Sequence, residues 1–297
     1  MNLRVALELG RVSNLPTVFT NVLAGACLAA AADPYGHLPG APALGLLGLT
    51  LSLFYTGGMF LNDAFDRHYD AEHRPDRPIP SRRAKPLEVF AWGYGMLGAG
   101  LFLLALAPLW ARPHVGWAPF ASGAVLAGLI VFYNAHHKKN PLSPLVMGLC
   151  RVFVYITSAA SVGSPMGGEV LLGAALLLSY LIGLSYVARN EGLREIKRLW
   201  PLVFLLVPFV FAAPRALRDP ASALLYVGFL GWVIRALALL RRRAQKSDIP
   251  RAVVSLIAGI SLLDGVLVAS QGRPLLAGAC VLGFFAARFL QRYISGT

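Results

Sequence analysis

Ten apolar stretches follow one another along this chain, near residues 14–32, 42–62, 86–110, 116–135, 143–163, 169–188, 199–213, 220–240, 251–270 and 274–291. Most of them reach the ~20 residues that a helix needs to cross a bilayer. Hydrocarbon offers no water to the backbone, so each crossing must satisfy its own N–H and C=O groups, as a helix does. The expected fold is an all-α integral membrane protein, a single polytopic domain over residues 1–297 with nine to ten transmembrane helices. Composition agrees: 14% of residues are charged, against roughly a quarter in a soluble domain. The stretch at 199–213 is short for a crossing.

The formal net charge is +13, which in a soluble protein would suggest nucleic acid as a partner. In a membrane chain the same residues serve as loop anchors on the cytoplasmic side, and no nucleic-acid partner is implied. With a cytoplasmic N-terminus and ten crossings, 23 of the 27 basic residues fall on that side, leaving only Arg112, Arg215, Arg218 and Arg273 outside. Glu8 and the mid-segment Asn14, Pro16 and Asn21 suit a polar-lined spanning helix better than a cleaved signal peptide. Cys27, Cys150 and Cys280 lie in apolar segments without paired spacing and imply neither a disulfide framework nor a zinc site.

One stretch at a membrane border carries the chemistry. "NDAFDRHYD", residues 62–70, follows the apolar "YTGGMFL". If the helix of 42–62 runs on for one or two turns, Asn62, Asp63, Asp66 and Asp70 share an arc of about 100°. Three carboxylates on one arc repel one another unless a cation sits among them. A solvated helix end neutralised by Arg67, Arg74 and Arg77 is one solution. A divalent ion is the other, and oxygen-only ligands favour Mg²⁺ over zinc. Mg²⁺ with open positions serves to receive phosphate oxygens, so the stretch reads as a diphosphate receptor facing the cytoplasm.

"NDAFDRHYDAEHRPDRPIPS", residues 62–81, closely resembles the first aspartate-rich motif of the UbiA superfamily of membrane prenyltransferases. "FYNAHHKKNPLSPLVMGLCR", residues 132–151, is similar to the family's tyrosine–lysine loop and fifth helix, and "RVSNLPTVFTNVLAG" to its first helix. The resemblance implies a helical bundle around a central cavity, with a prenyl diphosphate and an unidentified small-molecule acceptor as substrates and the lipid bilayer as surroundings. It implies Mg²⁺ on Asp63, Asp66 and Asp70, diphosphate contacts from Arg77 and Lys138, an orienting Asn62, a cavity-lining Tyr133 and a substrate-side Asn14. An allylic cation formed there would need shelter from water, which an apolar interior provides.

The second aspartate motif of that family should fall near residues 186–195, where this chain reads "SYVARNEGLREIKRLW" without an aspartate. Glu191 and Glu195 keep an i, i+4 spacing and could hold a second Mg²⁺. Alternatively Tyr186, Arg189, Asn190 and Arg194 share one face, and Arg189 would bind the diphosphate directly. "YVARNE" and the first-helix stretch also resemble the Ebo-type UbiA-like proteins, a divergent bacterial branch, which implies a bacterial inner membrane. Elsewhere Asp264 lies mid-segment, a functional candidate by default, as are Arg151 and Asn134. His136 and His137 read as a basic interfacial loop, since adjacent histidines point to different helix faces. Three functions follow from these readings: a Mg²⁺-dependent prenyltransferase, a non-catalytic isoprenoid-diphosphate binder or scaffold, and a transporter that couples to an ion through the carboxylates.

Overall fold

The computed structural model describes residues 1–32, 37–138, 140–164, 166–189, 200–242 and 248–296. Thirteen α-helices follow in order among them: α1 (Leu3–Leu9), α2 (Leu15–Ala32), α3 (Ala41–Phe65), α4 (Arg67–His73), α5 (Pro86–Ala105), α6 (Ala107–Trp110), α7 (Ala118–His136), α8 (Ser143–Ala160), α9 (Gly168–Arg189), α10 (Val207–Ala216), α11 (Pro220–Arg242), α12 (Asp248–Ala269) and α13 (Pro274–Leu290). Proline opens α3, α5, α7, α8 and α13 at the first or second position, where its missing N–H costs nothing and its fixed φ suits the first turn.

Eight of the ten expected crossings are helices long and apolar enough to span a bilayer. The other two are shorter. Residues 200–216 begin as a 3-10 turn, Trp200–Leu205, and continue as α10 with Pro214 inside it. The 17-residue α13 rises about 26 Å, a little under the ~30 Å hydrocarbon core.

In lipid the apolar effect does not draw helices together, so close backbone approach must hold the bundle. Gly25 of α2 faces the backbone of α8: a Cβ there would sit 2.7 Å from the Tyr155 carbonyl oxygen. Gly57 does the same for α3 and α5, with the Gly93 carbonyl oxygen 2.8 Å from the position of its missing Cβ. α12 is the central post, buried from Ser255 to Ala269 with the one exception of Ile257, and packed by α2, α9, α11 and α13. Leu87, Phe102, Phe132, Leu224 and Phe285 on the outer helices point outward, as a lipid-facing surface requires.

One end of the bundle is built to collect charge. The short helix α1 is capped by Asn2, whose Oδ1 accepts from the Val5 N–H at 2.9 Å. Val5 and Leu9 of α1 pack with Phe60 and Ala64 of α3, and with Ile79 and Ala84 from the loop after α4. Arg83 in that loop clamps Glu8 with both terminal nitrogens, at 2.7 and 3.1 Å. The loop therefore folds back beneath α1 and returns Arg77 to the end of α3. Between α1 and α2 the backbone turns through Arg11 at φ 43°, a left-handed conformation that costs a non-glycine residue energy. That turn aims Arg11 at the same end of α3.

Candidate active site

The last turn of α3 carries Asn62 and Asp63, and the helix breaks at Asp66 before resuming as α4. The break is slight, because the Asp66 N–H still bonds the Asn62 carbonyl at 2.9 Å and the Asp70 N–H bonds the Asp66 carbonyl at 2.8 Å. The four polar groups thus keep to one side, and Asp63 and Asp70 are buried.

Each carboxylate has different company. Asp63 Oδ1 accepts from Arg77 at 2.6 Å and from Arg11 at 3.3 Å. Arg11 also donates to Asn62 Oδ1 at 3.1 Å, and Asn62 donates to Asn134 Oδ1 at 3.1 Å. Asn134 in turn donates to the Gly58 carbonyl at 3.0 Å, which ties α7 to α3. Asp66 Oδ2 lies 3.0 Å from Lys138 Nζ and 3.4 Å from His137 Nε2. Burial alone would push the Asp66 pKa up; the hydrogen bonds and charges of His137 and Lys138 outweigh it and hold the carboxyl below its usual value. Asp70 shows the opposite balance. Burial pushes its pKa up, and the nearby Asp63 and Asp66 charges add to this against the pull of Arg77. Arg77 is itself pulled down, by burial first and by Arg11 second.

Of the expected site residues, Asn62, Asp63, Asp66, Asp70, Arg77 and Lys138 are brought together here. Tyr133 stands beside them, its ring stacked on His137 at 4.9 Å. Asn14 is elsewhere: its amide donates to the Gly296 carbonyl at 2.9 Å and accepts from Gln291 at 3.1 Å, so it ties the first helix to the C-terminal tail. Asn190, Glu191, Arg194 and Glu195 lie outside the described residues, as does the side chain of Arg189. Three partners were not singled out from sequence for this site. Arg11 counted only as a topology anchor, and its place in the first-helix stretch was the available signal. His137 was set aside with its neighbour His136. Tyr69 carries Lys138 Nζ over its ring at 3.7 Å, an attraction of cation to aromatic face.

The fit to Mg²⁺ rests on these contacts. Asp63, Asp66, Asp70 and the Asn62 amide present oxygen donors only, the set that suits this ion. Among the described residues no three His, Cys, Asp or Glu side chains stand close enough together to hold a metal ion. Instead basic side chains neutralise Asp63 and Asp66. By donor type alone the set fits Mg²⁺.

The profile of the UbiA prenyltransferase family matches residues 18–260. The chain belongs to the UbiA prenyltransferase family. Within it, the digeranylgeranylglyceryl phosphate synthase of Methanopyrus kandleri is 27% identical over 306 residues, covering 96% of this chain and 98% of that protein. The protein of the same name from Halobacterium salinarum is 29% identical over 241 residues, covering 76% and 82%. A solved structure, described as giving structural and mechanistic insights into the biosynthesis of digeranylgeranylglyceryl phosphate synthase in membranes, superposes with a TM-score of 0.61 at 18% identity over 91% of this chain and 98% of that one. At that identity the likeness speaks for the UbiA fold. Family membership sets the ion-coupled transporter aside.

Proposed function

We propose that this UbiA-family protein transfers a long isoprenoid chain of the geranylgeranyl kind from its diphosphate to the hydroxyl of an alkylated glyceryl phosphate, with Mg²⁺ as cofactor. The observation that carries the reading is the set of exchangeable ion pairs on the first aspartate stretch. The names of the relatives support the chain and the acceptor class. Asp63, Asp66 and Asp70 would hold Mg²⁺, which when bound neutralises charge developing on the leaving diphosphate.

The protein's own groups do the rest. Arg77, Arg11 and Lys138 are already gathered, and they turn from carboxylate oxygens to those of the diphosphate, where charge-assisted bonds are strongest. Their attraction grows as the allylic carbon–oxygen bond breaks and its electron pair moves to the diphosphate, which is what accelerates ionisation. The acceptor oxygen then attacks the allylic carbon and passes its proton to the released diphosphate. The apolar bundle keeps water away from the allylic cation. Arg189, with Asn190 and Arg194, takes the place of the missing second aspartate motif; Glu191 and Glu195 holding a second Mg²⁺ is the alternative. The site faces the cytoplasm from the cell membrane. The likeness to the Ebo-type branch rests on two short stretches alone.

The test is transfer of labelled geranylgeranyl from its diphosphate to geranylgeranylglyceryl phosphate by purified protein in nanodiscs, with Mg²⁺ and with a chelator. Product that requires Mg²⁺ supports the reading. Mg²⁺-dependent binding of the diphosphate without product, in the presence of the acceptor, would favour a non-catalytic binder.

A further inference from the structure

A second polar cluster lies inside the bundle, where Asp264, Arg151 and Asn21 interrupt largely apolar segments. Asp264 of α12 is fully buried, and among the described residues its carboxyl takes hydrogen bonds only from neutral donors. The Thr20 hydroxyl lies 2.5 Å from Oδ2, the Asn21 amide donates to Oδ1 and Oδ2 at 3.1 and 2.9 Å, and the Tyr155 hydroxyl donates to Oδ1. This fixes the orientation of Asn21: with its NH₂ turned to the carboxyl, its Oδ1 must point the other way. There it accepts from Arg151 Nη1 at 2.8 Å, while Arg151 Nη2 donates to the Thr17 hydroxyl at 3.0 Å. The guanidinium sits over the Tyr55 ring at 5.3 Å.

Arg151 is therefore held by α2 and rests on α3, two turns inside the start of α8. A guanidinium carries five N–H donors, and only two are used by protein groups among the described residues. A cation in a membrane interior with donors left over calls for an oxyanion. Among the described residues no carboxylate forms an ion pair with it.

We propose that Arg151 anchors an oxyanion carried by the lipid acceptor, and that Asp264 is a positioning residue that sets Arg151 through Asn21. The proposal rests on the transferase reading and adds the acceptor's end to it. The shared chemistry is a lipid-borne phosphate, whether on an ether-linked glyceryl phosphate or on an ordinary phospholipid headgroup.

The experiment measures binding of geranylgeranylglyceryl phosphate, of its neutral counterpart geranylgeranylglycerol, and of phosphatidylglycerol to protein in neutral-lipid nanodiscs, without Mg²⁺ or prenyl diphosphate. Wild type should favour the first over the second by about tenfold or more, near 1.4 kcal/mol. Arg151→Gln should abolish that preference, Arg151→Lys should keep part of it, and Asp264→Asn should weaken it, because the Asn21 amide is then free to flip. Thermal unfolding in the same nanodiscs identifies any variant that fails to fold, and the wild-type comparison stands without the variants. Equal binding of the phosphate and the alcohol by wild type, binding of neither, or a preference unchanged in Arg151→Gln would overturn the anchor. Equal competition by phosphatidylglycerol would overturn its assignment to the acceptor. Mg²⁺-dependent binding of geranylgeranyl diphosphate, measured separately, reports on the transferase reading and not on the anchor.

Discussion

Two carboxylate centres share this bundle, and they are built in opposite ways. At its charged end, Asp63 and Asp66 are met by Arg11, Arg77 and Lys138. In the interior, Asp264 is met by two hydroxyls and an amide. Cationic partners on long side chains at a water border can be traded for an arriving anion. Neutral donors packed around a fully buried carboxyl have nothing to trade with. The first arrangement is suited to binding and release, and the second to fixing a neighbour's geometry.

The largest break in that comparison is removal of the interior carboxyl. Asp264→Ala leaves the Tyr155 and Thr20 hydroxyls and the Asn21 amide without their acceptor, at a cost of about 2–4 kcal/mol. A fall in the thermal midpoint in nanodiscs should show it; an unchanged midpoint would mean that the network is dispensable. At the other centre, Arg77→Ala should weaken Mg²⁺-dependent geranylgeranyl diphosphate binding by roughly tenfold to a hundredfold, as loss of a charge-assisted contact does, with a much smaller change in stability. A midpoint loss as large as that of Asp264→Ala would erase the distinction.

Asp70→Asn sharpens the contrast within the charged end. Burial raises the Asp70 pKa above its ordinary 3.8, so Asp70 adds stability below that value and the contribution is lost as pH rises through the raised pKa. At neutral pH the neutral amide should therefore be equal to or more stable than wild type, by up to about 1 kcal/mol, while Mg²⁺-dependent turnover falls. The gap should close or reverse on acidification toward pH 4, a trend read from unfolding midpoints across pH. The smallest effect is expected at Glu8→Gln. The Glu8–Arg83 pair is well formed at 2.7 Å, but its side chains are 38% and 40% exposed, and such surface pairs contribute about 0.5 kcal/mol or less.

The same contrast explains what the sequence disclosed. The crossings were legible because the bilayer fixes their length, and the aspartate stretch because four polar groups recur on one helical face beside an apolar run. Lys138 and Arg77 came with the family likeness of their segments. Arg11 and His137 were harder, since each reaches its carboxylate across a gap of 52 and 71 positions, and no local periodicity reports such a meeting. Asp264 and Arg151 were visible as polar residues out of place, but their partnership through Asn21 depends on the packing of α2 between α8 and α12. That packing is set by glycines such as Gly25, whose role is apparent only once the Tyr155 backbone is seen against it. The partners of Asn14 were out of reach for the same reason: its amide meets Gln291 and Gly296 from the far end of the chain.

The central claim is that the carboxylates of residues 63–70 trade their basic partners for a metal-borne diphosphate. The most direct measurement is diphosphate release from geranylgeranyl diphosphate by purified protein, with and without Mg²⁺, for wild type and Asp66→Ala, with geranylgeranylglyceryl phosphate present as acceptor. The account predicts release that needs Mg²⁺ and falls by about a thousandfold in the variant, near 4 kcal/mol of lost transition-state stabilisation. Release by wild type that is indifferent to Mg²⁺, or undiminished in Asp66→Ala, would contradict it.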